Sequence, residues 1–100
     1  MSNIKIDMNY PEFQSDFFKL GKTEQLALIR ALKKIRQFTW SQLYTDAGLK
    51  WEVIHSKQST VGDRVYSFRF SQKYRAVAIR EDNFLRLMSL HADHDSAYKI

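Results

Sequence analysis

VYSFRFSQKYRAVAIREDNFLRLMSLHADHDSAY, residues 65–98, holds three strand-like runs, two tight turns and a tail dense in His, Asp and Tyr. In the first run Tyr66, Phe68 and Phe70 alternate with Val65, Ser67 and Arg69, the period-two pattern of a strand with one aromatic face. Residues 71–73 read as a turn, 74–80 as a strand with apolar residues on both phases, 81–83 as a second turn and 84–91 as the last strand. The remaining residues read as a single helical turn.

Working back toward the N-terminus, residues 49–55 read as another strand, with Trp51 and Val53 on one side, and residues 57–63 as a polar loop containing Gly62. Before them the period changes to that of helices. Thr39 and Gln42 form a T-x-x-Q capping box that starts a short helix carrying Trp40, Leu43, Tyr44 and Ala47, ended by Gly48. Leu28, Leu32 and Ile35 form one stripe of a longer helix, N-capped by Thr23, with Arg30, Lys33, Lys34 and Gln37 facing away. Pro11 suits the first position of a preceding helix and Gly21 its end, with Phe13, Phe17 and Leu20 between them. Residues 3–8 alternate Ile4, Ile6 and Met8 against Lys5 and Asp7, a short half-buried strand. One strand, then helices, then four strands predicts an α+β fold, an N-terminal strand and helical hairpin packed on one face of a mainly antiparallel sheet. The other face is expected to be open and concave, a place for a polymer ligand.

One hundred residues are expected to form one domain, 1–100, with a single modest core. A 44% hydrophobic and 14% aromatic content excludes disorder, and three Gly and one Pro exclude fibrous classes. Without cysteine there are no disulfides or thiolate metal sites. No apolar run approaches a membrane span, so a soluble cytoplasmic protein is expected. The net charge of +5 implies an acidic partner, either nucleic acid or an acidic protein segment.

Arg69, Arg75 and Arg80 interrupt otherwise apolar strands. An arginine suits phosphate because its planar fork donates two parallel charge-assisted hydrogen bonds. Arg75 and Arg80 lie five positions apart and so fall on opposite faces, leaving one of them to join Arg69. Exposed pairing with Glu52, Glu81 or Asp82 is the structural alternative. In the tail, His91 and His94 are natural general acids or bases, Asp93 or Asp95 can fix a tautomer, and Tyr98 can bond a phosphate or stack on a base. Capping of chain ends is the plain alternative for these groups. His91, His94 and Asp95 could also ligate a metal, but they lack the spacing of a zinc protease motif. His55, at the end of its strand, is a weaker candidate. There is neither a Gly-rich phosphate loop nor a serine elbow.

Over nearly its whole length the chain resembles the RelE/ParE superfamily of toxins from type II toxin–antitoxin operons. Residues 26–35, LALIRALKKI, look like the basic second helix of that family's hairpin. Tyr66-x-Phe68-Arg69 and Lys73-Tyr74-Arg75-Ala76-Val77 are similar to its paired "yR…yR" strands, and residues 87–98, LMSLHADHDSAY, to its closing strand and H-x-x-x-Y tail. The RelE-like branch implies a ribosome-dependent mRNA endoribonuclease that works without metal or cofactor through attack of the ribose 2′-OH. His91 or His94 would then be acid or base with Tyr98 assisting, Arg69 and Arg75 would hold the phosphate, and Lys50, Lys57, Arg80 and Asp95 would help bind substrate. The ParE-like branch implies inhibition of DNA gyrase, and a non-catalytic binding module is a third reading. Either toxin branch implies a cognate antitoxin covering the basic surface.

Overall fold

The computed structural model describes residues 3–58 and 64–92, and of residues 55–58 the backbone alone. The elements are β1 (Lys5–Asp7), α1 (Pro11–Lys19), α2 (Lys22–Arg36), α3 (Trp40–Thr45), β2 (Glu52–Gln58), β3 (Arg64–Arg69), β4 (Arg75–Glu81) and β5 (Phe84–His91). The sheet runs β1-β5-β4-β3-β2. β1 lies parallel to β5, and the other neighbours are antiparallel. The helices carry the chain from one edge of the sheet to the other, and the four later strands return it to β1.

The aromatic face of β3 turns toward the helices. Phe68, with Ala76 and Ala78 of β4 and Leu85 and Leu87 of β5, packs in one cluster with Phe13, Leu28, Leu32, Ile35 and Leu43. Removing this apolar area from water is the main force holding the helical layer on the sheet. Asp16 of α1 also accepts the Leu90 backbone N–H at 2.9 Å, pinning that helix to β5.

The second face is less open than expected. Ile54, Val65, Val77 and Ile79 form a further small cluster, joined by Met88, and each of the four is at most 7% exposed. Polar side chains stand around this cluster: Glu52, Ser67 and Ser89 on one side of it, and Arg86, paired with Asp7, opposite Ile79.

Several boundaries differ from the sequence reading. Gly21, not Thr23, is the N-cap of α2, and it contributes no side-chain bond. The Thr39–Gln42 capping box is present in full, but α3 stops at Thr45. Residues 47–50 form turns rather than a strand, because the Asp46 carboxylate accepts the Leu49 N–H at 2.9 Å and Lys50 takes a φ of 49°. β2 therefore starts at Glu52 and runs through His55 and Lys57, the latter expected in a loop. The rest of that loop, residues 59–63, and the tail from residue 93 lie outside the described residues. Among the described residues no helix is long and apolar enough to cross a membrane.

Candidate functional site

Strand register brings three sequence-predicted residues into one row. Arg69 of β3 stands opposite Arg75 of β4, and Arg75 stands opposite His91 of β5. Directly opposed residues share a face, and with strands about 4.8 Å apart the row spans about 10 Å. The face is the one away from the helices.

A bulge sets this arrangement. From Glu81↔Phe84 to Ala78↔Leu87 the pairing is regular; past Met88 it shifts by one, to Val77↔Ser89. Without that extra residue Arg75 would oppose Leu90, and His91 would fall on the helix side. The bulge turns the imidazole onto the arginine face, a recurrent use of bulges beside functional sites.

The next row of the same face is Glu52, Ser67, Val77 and Ser89. Ser89 Oγ lies 2.8 Å from His91 Nε2 and so fixes the ring's orientation; which group donates follows the tautomer. Ser67 Oγ and Arg75 Nη1 are buried without a hydrogen-bond partner among the described residues. Like charges directly across a ladder repel, and a buried N–H without an acceptor is a further cost. An anion seated between the two guanidinium groups would relieve both.

The backbone holds the end of β3 firmly. Arg69 N–H donates to Leu49 O at 2.6 Å, and Phe70 N–H to Tyr74 O at 3.2 Å. The first contact places the turn carrying Lys50 beside Arg69. Lys50 itself is exposed.

Arg80 does not join the row. It pairs with Leu85 on the helix face, where its guanidinium lies 4.2 Å from the centre of the Trp40 ring. Its Nη1 donates to the Tyr44 hydroxyl at 3.0 Å, and that hydroxyl donates to Tyr66 at 3.4 Å. Tyr66 stacks on Trp51 at 4.6 Å. Burial is the largest influence on Tyr44 and opposes its ionisation. The Tyr66 hydroxyl and the Arg80 charge together outweigh it, leaving Tyr44 below its ordinary value. Burial, then the neighbouring Tyr44, pushes Tyr66 above its own. This constellation ties α3 to the sheet.

Lys57 lies on β2, and its side chain, like that of His55, is outside the described residues, as are His94, Asp95 and Tyr98 entirely. Sequence reasoning did not single out Ser67 or Ser89, and it gave Glu52 only as an ion-pair partner. Their signal was phase: Ser67 is two residues from Arg69, and Ser89 two from His91.

Three solved structures share this architecture. One is an archaeal RelE–RelB complex from Pyrococcus horikoshii, at a TM-score of 0.61 and 12% identity over 91% of this chain and 93% of that one. The chain has the fold of the RelE toxins. The same fold recurs in the YoeB dimer of Staphylococcus aureus, with a TM-score of 0.57, 20% identity and coverage of 93% and 98%. A copper-bound mutant toxin of Helicobacter pylori matches at 0.50 and 15% identity, covering 96% and 98%. No family model matches the sequence, and no curated protein does so significantly. At these identities the RelE-type likeness speaks for the backbone; the side chains must be argued from their own chemistry.

Proposed function

We propose that residues 1–100 form the toxin of a type II toxin–antitoxin system, a cytoplasmic mRNA endoribonuclease acting on the ribosome. The observation that carries this reading is the Arg69–Arg75–His91 row, two facing guanidinium groups and an imidazole on one sheet face. The RelE-type fold supports it.

Cleavage of RNA needs positive charge on the phosphate and a proton transferred at each of two oxygens. Arg75 and Arg69 grip the non-bridging oxygens. A base removes the proton from the ribose 2′-OH, whose oxygen attacks the adjacent phosphorus. The bond to the 5′-oxygen breaks, and an acid returns a proton to that leaving oxygen. The products are a 2′,3′-cyclic phosphate and a 5′-hydroxyl. His91, oriented by Ser89, takes one proton-transfer role; His94 or Tyr98 takes the other. Lys50, Lys57 and Asp95 assist binding. Arg80 is assigned to holding α3, because its charge is engaged with Trp40 and Tyr44.

The partner in this reading is a cognate antitoxin with an acidic or amphipathic segment. The archaeal neighbour, solved as a complex with RelB, supports it. Pulse labelling after brief induction in bacteria tests the proposal. Protein synthesis should halt while DNA synthesis continues. An early halt of DNA synthesis would instead indicate gyrase, and growth without either halt would refute the toxin reading.

A further inference from the structure

At the far end of the sheet from the row, on the helix face, lies a second group of cationic and hydroxyl donors. One step past Val65↔Ile79 the ladder sets Arg64 across from Arg80, in phase with Tyr66. Both arginines act electrostatically on the Tyr66 hydroxyl. Arg64 and Arg69 lie five residues apart on β3, so this group and the row are about 17 Å apart and on opposite faces. We propose that Arg64, Arg80 and the Tyr66 hydroxyl form a second anion site, which takes the phosphate of a free nucleotide while the base stacks on the Tyr44 ring.

Donors converge here without acceptors. The hydrogen bonds run one way, from Arg80 Nη1 to the Tyr44 hydroxyl at 3.0 Å and from that hydroxyl to Tyr66 at 3.4 Å. The Tyr66 proton is left to donate outward, strengthened by the chain behind it. Holding α3 uses one N–H and one face of the Arg80 guanidinium; its other N–H groups remain. Among the described residues neither Arg64 nor Arg80 has a carboxylate partner, the ion pairs being those of Lys34 and Arg86. Two guanidinium groups directly across a ladder repel. The indole N–H groups of Trp40 and Trp51, in the same aromatic cluster, are buried with no acceptor among the described residues. Tyr44 lies below its ordinary value although burial opposes this, so the surroundings favour negative charge. A phosphate supplies acceptors to both guanidinium groups and to the Tyr66 hydroxyl.

An open ring beside a fixed cation decides for a nucleotide over an acidic peptide. Arg80 is held 4.2 Å from the centre of the Trp40 ring, so it loses little freedom on binding. Tyr44 lies nearly parallel to Trp51, at 21°, and is 44% exposed, which leaves its outer face for a base. A carboxylate side chain would engage the arginines and leave that face idle.

The test is calorimetric titration of the purified chain with ADP, pyrophosphate and adenosine at low salt. ADP should bind at least about fivefold more tightly than pyrophosphate, the worth of one base stack, and adenosine should not compete. Arg64 is exposed, so Arg64→Ala should fold normally, which circular dichroism verifies. It should weaken ADP binding about tenfold, the effect of losing one charge-assisted contact. Tyr66→Phe keeps the ring and removes only the donor, at a cost of about fivefold. Lys73→Ala, an equal charge loss in the turn after β3, should change affinity less than twofold. No ADP binding at millimolar concentration, equal affinity for ADP and pyrophosphate, or equal losses in Arg64→Ala and Lys73→Ala overturns the proposal. So does a single-stranded RNA that binds through Arg64 while ADP does not, which would make this a contact for the polymer.

Discussion

Arg80→Ala should act on stability rather than on catalysis. The guanidinium stacks 4.2 Å from the Trp40 ring centre and donates to Tyr44 at 3.0 Å. A partly exposed cation–π contact contributes about 1 kcal/mol. A charge-assisted hydrogen bond at a half-exposed site adds about 1 kcal/mol more. The combined loss of about 2 kcal/mol corresponds to a fall in Tm of about 8–16 °C for a domain of this size. Arg80→Lys keeps the charge but loses the planar stack, so it should recover only part of the loss. Thermal unfolding followed by circular dichroism measures both variants. A double-mutant cycle with Trp40→Leu should show a coupling of about 1 kcal/mol. Ribosomal mRNA cleavage by Arg80→Ala, assayed well below its Tm, should stay within a few-fold of wild type. An unchanged Tm together with lost cleavage would refute the reasoning and return Arg80 to the substrate.

Arg75→Ala should show the opposite pattern. Removing one of two facing cations should leave Tm unchanged or slightly raised, while cleavage falls by about 10²–10³-fold, the usual scale for losing one transition-state donor. Asp7 governs an acid transition. Its carboxyl lies below the usual range, first through the Asn9 backbone N–H, against burial, and then through Arg86 at 2.9 Å. A depressed carboxylate stabilises the fold above its unfolded pKa of about 3.9 and loses that contribution as pH falls through the folded value. Asp7→Asn should therefore be less stable than wild type near neutrality, with the difference vanishing in acid; urea midpoints across pH check this. At high pH, ultraviolet titration of the phenolates should find Tyr44 ionising before Tyr66, in an order identified by the Tyr44→Phe and Tyr66→Phe variants. Arg80→Ala should raise Tyr44, since a favourable cation is removed.

How far the sequence could be read depended on whether local chemistry carried the answer. Tyr66 and Phe68 alternate cleanly, and Thr39 with Gln42 needs no distant partner, so β3 and the start of α3 were legible. Leu49, Trp51 and Val53 also alternate, yet Leu49 belongs to a turn, because Asp46 captures its N–H and Lys50 adopts a left-handed φ. Leu49 is apolar because it is buried in the helix-side core, and apolar phase alone cannot separate these cases. That Arg75 rather than Arg80 stands beside Arg69 was half legible, since five positions along a strand fix opposite faces but not which face is which. The place of His91 was not legible, because it depends on a one-residue bulge at Met88.

The central claim is cleavage by 2′-OH attack at the Arg69–Arg75–His91 row. The most direct measurement is the chemical identity of the ends left on an mRNA cut by purified protein on programmed ribosomes in the presence of a chelator. The account predicts a 2′,3′-cyclic phosphate on one fragment and a 5′-hydroxyl on the other, with both products lost in Arg75→Ala and His91→Ala. A 3′-hydroxyl end, cleavage abolished by the chelator, or full cutting by both variants would contradict it.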